Sequence, residues 1–167
     1  MSAYAYGVEG IAVHKVLIVA NQTIGSAELT RAVNERLATG AHFQLLVPVP
    51  PTPPSAISVG LAAVESAATA FMVLPDLRAL AEERLETGLE WLRGLDADAT
   101  GEVGVIDTVA AVVGVVQRDQ IDEILVSTLP SRISKWLRQD LPHKIEKRVS
   151  VPVIVVTAST SVDDDPN

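Results

Sequence analysis

The chain has 167 residues, a formal net charge of −8 and no cysteine. This length predicts one domain over residues 1–167, with a core large enough to fold without disulfides. The negative charge argues against general affinity for nucleic acid or an anionic membrane. The apolar stretch at residues 56–74 is interrupted by Glu65, so no membrane span is predicted and we expect a cytoplasmic protein.

Five aliphatic runs predict β-strands, and stretches with helical periodicity separate them. The runs lie near residues 14–20, 43–48, 99–103, 121–127 and 152–157. Continuous apolar runs fit strands that are buried on both faces, as in parallel sheets. With right-handed crossovers, the sequence therefore predicts an α/β fold: a doubly wound, open, parallel five-stranded sheet in the order 3-2-1-4-5, with helices on both faces.

Capping residues and helix breakers mark the predicted helices. Gly40 stops the first helix, and a long helix opens at Pro75 and ends at Gly94. Apolar residues at helical spacing predict the buried stripe of that long helix: Leu77, Leu80, Ala81, Leu85, Leu89 and Leu92. The predicted N-caps are Ser26, Asp107 or Thr108, and Asp140, which is followed by Pro142.

The remaining segments are predicted to lie outside the sheet. Residues 1–12 form an N-terminal arm, residues 49–56 a stiff proline-rich connector, and residues 158–167 a flexible acidic tail. Residues 57–73 are small and apolar, and we expect a helix that packs on the sheet or on a partner protein.

Polar and basic side chains follow the two strands that flank the predicted switch point of the sheet. In open α/β sheets, ligands bind beyond the carboxyl ends of the strands at such a point. A phosphorylated small ligand would therefore lie between residues 21–26 and residues 127–140. The candidate contacts are Asn21, Gln22, Thr23, Ser127, Thr128, Arg132, Lys135 and Arg138. A solvated basic loop is the alternative interpretation, and Trp136 is either a stacking platform or a plug over the sheet edge.

No constellation in the sequence predicts catalysis. There is no Walker loop, nucleophile elbow or Ser-His-Asp arrangement. His14 and His143 each lack a second histidine at helical spacing, so no metal site is predicted.

Several blocks in order resemble the universal stress protein family over nearly the whole chain. They are Val16-Leu17-Ile18-Val19-Ala20-Asn21, Gln44-Leu45-Leu46-Val47-Pro48-Val49-Pro50-Pro51, Gly101-Glu102-Val103-Gly104, Asp122-Glu123-Ile124-Leu125-Val126-Ser127, and Leu141 to Val156, which ends in Val151-Pro152-Val153-Ile154-Val155-Val156. The resemblance implies an adenine nucleotide alpha hydrolase-like fold and a bound adenine nucleotide such as ATP. It also implies a homodimer through the last strand, residues 150–158, with antiparallel two-fold related copies.

Two departures from that family bear on nucleotide binding. Nucleotide-binding members carry a G-x-x-G-x9-G-[ST] loop after the fourth strand, whereas residues 127–140 contain no glycine. Asn21 stands where the family's first strand usually ends in an aspartate that contacts nucleotide. The sequence therefore assigns no cofactor. We expect a binding or regulatory module that is stress-related and not catalytic. The alternatives are ATP binding through the basic loop at residues 127–140, a nucleotide-dependent enzyme of related Rossmann-like architecture, or a structural protein using residues 57–73.

Overall fold

The computed structural model describes residues 12–49, 67–130 and 140–159, with side chains from residue 76 onward in the second range. Several predicted segments lie wholly or mostly outside these residues. They are the N-terminal arm, the proline-rich connector, the first part of the apolar segment and the acidic tail. Four of the basic and aromatic candidates for the loop after the fourth strand also lie outside them: Arg132, Lys135, Trp136 and Arg138.

The sheet has the predicted topology. Its five strands are all parallel and lie in the order β3-β2-β1-β4-β5. Their bounds are β1 Lys15–Val19, β2 His42–Val47, β3 Ala99–Val103, β4 Glu123–Thr128 and β5 Val153–Thr157. The doubly wound fold is thus confirmed, with strand ends within two residues of those expected.

Helices cover both faces of the sheet. They are α1 Ala27–Leu37, α2 Ala67–Gly94, α3 Thr108–Asp119 and the short α4 Leu141–Glu146. Two of the predicted N-caps are confirmed, because the Ser26 side chain accepts from the Leu29 amide and the Asp107 side chain from the Ala110 amide. Within the described ranges, no helix is both long and apolar enough to cross a bilayer.

Two helix boundaries differ from the prediction. Pro75 does not open α2, since the helix already begins at Ala67 and continues through it. Proline is a strong boundary signal in a sequence, but Ala and Met before it are good helix formers. Asp140 occupies the N-cap position of α4 without a side-chain cap hydrogen bond, because its left-handed backbone (φ 55°) is not the extended conformation that an N-cap needs.

The central strand β1 divides the core into two layers. Val16 and Ile18 belong to the layer under α1 and α2, whereas Leu17 and Val19 belong to the layer under α3 and α4. All four side chains are fully buried. This alternation explains why the strand has no polar face, and it confirms the expectation from the aliphatic runs.

Gly101 of β3 lies where a side chain does not fit. A Cβ atom there would be 2.6 Å from Leu85 Cδ1 and 2.9 Å from the backbone oxygen of Leu45. We expect Gly101→Ala to lower the free energy of unfolding by about 1–3 kcal/mol through overpacking. Gly114→Ala is the matched control, because Gly114 is an exposed helical residue with nothing within 4 Å of its Cβ position. That change should stabilise by roughly 0.5–1 kcal/mol. Urea unfolding followed by circular dichroism measures both, and equal effects would contradict the prediction.

Candidate functional site

The turn after β1 and the end of β4 meet at the carboxyl edge of the sheet. The two strands are neighbours, and Val19 pairs with Val126. The Thr23 hydroxyl donates to the Ser127 carbonyl oxygen at 3.1 Å. Thr23 is buried, so its side chain fastens the turn to β4. The predicted meeting of these two segments is therefore present, although Thr23 serves to hold them together.

Ser127 and Thr128 end β4 in a buried position. Their exposed fractions are 1% and 2%. Among the residues that the structure describes, neither hydroxyl has a hydrogen-bond partner. A buried hydroxyl left unpaired is costly, so such groups in native proteins call for a reason. In the described part of the candidate site, these two hydroxyls are therefore the buried side-chain groups without a hydrogen-bond partner.

Asn21 is held from two sides. Its side-chain amide donates to the Pro48 carbonyl oxygen at 3.3 Å, and its side-chain oxygen accepts a hydrogen bond from Nη1 of Arg84. Gln22, the next candidate, is exposed. Arg84 was not among the residues predicted for the site, and α2 brings it to the end of β1. The available signal was a charged residue on the buried side of α2, between Ala81 and Leu85.

The N-terminus of α1 carries its own negative charge. Ser26 already accepts from the Leu29 amide at 3.3 Å. The Glu28 carboxylate accepts a hydrogen bond from the Ser159 hydroxyl, and that bond lowers the pKa of Glu28. A phosphate at this helix end would therefore meet an ionised carboxylate. A helix N-terminus generally favours a phosphate group, so a phosphate bound beyond β1 would be expected near the start of α1, but the Glu28 carboxylate opposes that approach.

The described part of the basic segment lies on the α3 and α4 face of the sheet. Lys144, Lys147 and Arg148 line a groove of about 460 Å³ together with the start of α3, namely Asp107, Val109 and Ala110. Arg84 belongs to α2, which packs on the opposite face. Arg84 and the groove cations thus lie on opposite faces of the sheet. Among the described Lys and Arg side chains, Arg84 is the one that hydrogen-bonds to a residue of the predicted ligand site, Asn21.

The histidines have carboxylate neighbours that the sequence did not predict. His14 Nε2 is 3.4 Å from Glu123 Oε2, and His143 Nδ1 is 3.6 Å from Glu146 Oε2. In the described ranges, no group of three His, Cys, Asp or Glu side chains is arranged to hold a metal ion. Around the turn after β1 and the end of β4, the described polar side chains include hydroxyls, amides and one guanidinium, with the Glu28 carboxylate at the start of α1.

The comparisons with known proteins identify the same fold in universal stress proteins. A universal stress protein in complex with cAMP is 17% identical, with a TM-score of 0.55, over 89% of this chain and 99% of that one. The universal stress protein from Archaeoglobus fulgidus in complex with dAMP is 14% identical, with a TM-score of 0.55, over 86% and 97%. A family protein from Arabidopsis thaliana with AMP bound is 12% identical, with a TM-score of 0.55, over 92% and 96%.

The sequence itself matches no protein-family model and no curated protein. The likeness is therefore one of fold. The chain has a universal-stress-protein-like α/β fold, as its ordered sequence blocks predicted.

Proposed function

We propose that this protein is a ligand-binding regulatory module, not an enzyme, and that its ligand binds between the turn after β1 and the end of β4. One observation carries the proposal. The hydroxyls of Ser127 and Thr128 are buried and have no partner among the described residues, at the switch point where such folds bind ligands. Because consecutive strand residues face opposite sides of a sheet, a ligand group that reaches one of these hydroxyls would supply its hydrogen bond and remove the cost of burying it.

An adenine mononucleotide is the ligand class that we propose. Three proteins of this fold hold cAMP, dAMP or AMP. Each carries a single phosphate group, which suits a site without a glycine-rich phosphate loop. A single-domain organisation, a cytoplasmic location and a role in a stress response are further parts of the proposal, and they rest on the likeness of fold.

Thr128→Val tests the site, because valine keeps the shape of threonine and removes the hydroxyl. We expect the affinity for AMP to fall about fivefold to tenfold, the equivalent of one hydrogen bond. Stability should be unchanged or higher, since an unpaired buried hydroxyl is lost. Calorimetric titration with AMP and thermal unfolding give the two readouts. Thr100→Val, at an exposed position of β3, should leave AMP affinity unchanged. Equal AMP affinity in Thr128→Val and the wild type would overturn the proposal.

ATP is expected to bind weakly. Residues 127–140 contain no glycine, so backbone N–H groups cannot approach a triphosphate as they do in a glycine-rich loop. Each lost donor to a charged acceptor forfeits about 1.5–3 kcal/mol, and two or three losses move a micromolar site to the millimolar range. Titration with ATP and Mg²⁺ should give a dissociation constant above about 10 μM, roughly −7 kcal/mol.

A tighter value for ATP would favour the alternative that the basic loop binds phosphate. Replacing Arg132 and Lys135 with alanine then decides between the two. A fall in ATP affinity in that double variant would assign the triphosphate to the basic loop. An unchanged affinity would show that the triphosphate does not depend on Arg132 and Lys135.

A further inference from the structure

We propose that Arg84, positioned by Asn21, is an anion-binding residue that holds the phosphate or carboxylate group of the ligand at the corner between β1 and β2. The inference rests on the proposed ligand site and names the chemistry of one end of it. Arg84 projects from α2 to the end of β1, where its Nη1 donates to the Asn21 side-chain oxygen. Asn21 is in turn fixed to the chain after β2 through the Pro48 carbonyl oxygen.

The charge environment distinguishes Arg84 from the other described arginines. Only Arg36 and Arg84 are partly buried, and the rest are exposed. Arg36 is paired with the Glu123 carboxylate at 2.5 Å. No carboxylate in the described residues lies within 4.0 Å of the Arg84 guanidinium. A partly desolvated cation without a counter-ion is unfavourable, and an anionic ligand group would relieve that cost.

Asn21 keeps this positive charge available. An aspartate at position 21 would form an ion pair with Arg84 and neutralise it. The amide accepts a single hydrogen bond and leaves most of the five guanidinium N–H donors free to form a two-pronged contact with a carboxylate or phosphate. The amide of Asn21 therefore allows Arg84 to bind an anionic ligand group, whereas a carboxylate at position 21 would compete with that group for the guanidinium.

Inorganic phosphate is the first probe, because it tests the anion site without the rest of a ligand. Adding phosphate at constant ionic strength, with chloride as the reference, should raise the melting temperature of the wild type. The expected rise is about 3 °C at a phosphate concentration roughly tenfold above its dissociation constant. Arg84→Gln and Asn21→Asp should both abolish the rise. No phosphate-dependent rise in the wild type would overturn the inference.

Two controls exclude other cations. Arg93→Gln removes an exposed arginine of the same helix that has no ion pair of 4.0 Å or less in the described part of the chain. Lys147→Gln removes a cation of the groove between α3 and α4. Both variants should keep the full phosphate response. If Lys147→Gln alone abolished it, the anion would belong to that groove and the inference would be wrong.

AMP and adenosine then separate this inference from the proposed function. Arg84→Gln should weaken AMP binding at least tenfold and leave adenosine binding unchanged, since only AMP carries an anionic group. The AMP affinity of Arg84→Lys should lie between those of the wild type and Arg84→Gln, because lysine keeps the charge without the planar guanidinium. If Thr128→Val weakened AMP binding and Arg84→Gln did not, the proposed site would stand and the role of Arg84 would be rejected.

Discussion

Replacing Arg36 with alanine is expected to lower the free energy of unfolding by about 3 kcal/mol. The Arg36 guanidinium of α1 binds the Glu123 carboxylate, the first residue of β4, through two hydrogen bonds of 2.7 and 2.5 Å. Their side chains are only 16% and 11% exposed. Removing one partner of a buried pair leaves the other charge uncompensated, which costs about 3–5 kcal/mol. The partial exposure of this pair places the estimate at the lower end.

The loss of stability in Arg36→Ala is expected to depend on pH through the ionisation of Glu123. The hydrogen bond from Arg36 lowers the pKa of Glu123 against the opposing effect of burial. A group whose pKa is lower in the folded state contributes stability above its unfolded pKa, about 4.3, and loses it as pH falls through the folded value. In Arg36→Ala, Glu123 remains buried but loses the hydrogen bond that does most to lower its pKa. Protonation of Glu123 should then remove the cost of an uncompensated buried charge. The difference in unfolding free energy between the two proteins should therefore narrow as the pH falls from neutral toward 3, beginning above the unfolded pKa of about 4.3.

Urea unfolding at a series of pH values from 7 to 3 measures the effect. Arg78→Ala is the control, because Arg78 forms an exposed ion pair with Glu82 one helical turn away. Such pairs contribute about 0.3–0.5 kcal/mol. The double variant Arg36→Met with Glu123→Leu should recover much of the loss, since it leaves no buried charge. A difference between Arg36→Ala and wild type that is constant from pH 7 to 3 would contradict the account.

The sheet could be predicted because its information is local. Each strand is an aliphatic run, and the right-handed crossover rule leaves few arrangements of such runs. The start of β4 was less exact, since the prediction began it at Ile121 and the strand begins at Glu123. Asp122 is instead used to accept the Lys15 amide at 2.8 Å. A glutamate inside a buried strand is acceptable only with a partner, and Arg36 lies 87 positions away in the sequence.

The candidate site was predicted only in part for the same reason. The topology alone brings the turn at Asn21 to the end of β4, and the strand pairing contains that information. Arg84 is 63 positions from Asn21, and its approach depends on how α2 is seated on the sheet. A helix pattern identifies the buried stripe but not which boundary residue reaches the sheet edge. The missing N-cap hydrogen bond of Asp140 could not be predicted either, because it depends on a backbone dihedral angle that the sequence does not specify.

The outer edge of β5 bears on association between copies of the chain. In the described sheet, β5 pairs with β4 and ends the strand order. Ile154 and Val155 are 37% and 41% exposed on it. An apolar, unpaired edge strand is a liability that proteins cover or pair. The homodimer through residues 150–158 thus stays a prediction, and this exposure supports it.

Val155→Asp is expected to convert that homodimer to a monomer. Val155 is the better position, because Val153 packs on the protein's own core and its replacement would harm the fold. Two-fold symmetry makes each change count twice. Losing the burial of two valines, at about 1.5 kcal/mol each, raises the dissociation constant at least about 100-fold, and burying two carboxylates adds to the loss.

Sedimentation equilibrium over micromolar concentrations measures the association directly, with circular dichroism to show that the variant is folded. Val105→Asp is the matched control, since Val105 is a 59% exposed valine between β3 and α3. It should leave the dimer intact if the interface is at β5. A wild-type protein that is monomeric at micromolar concentration would refute the dimer. A dimer equally stable in Val155→Asp would place the interface on another surface.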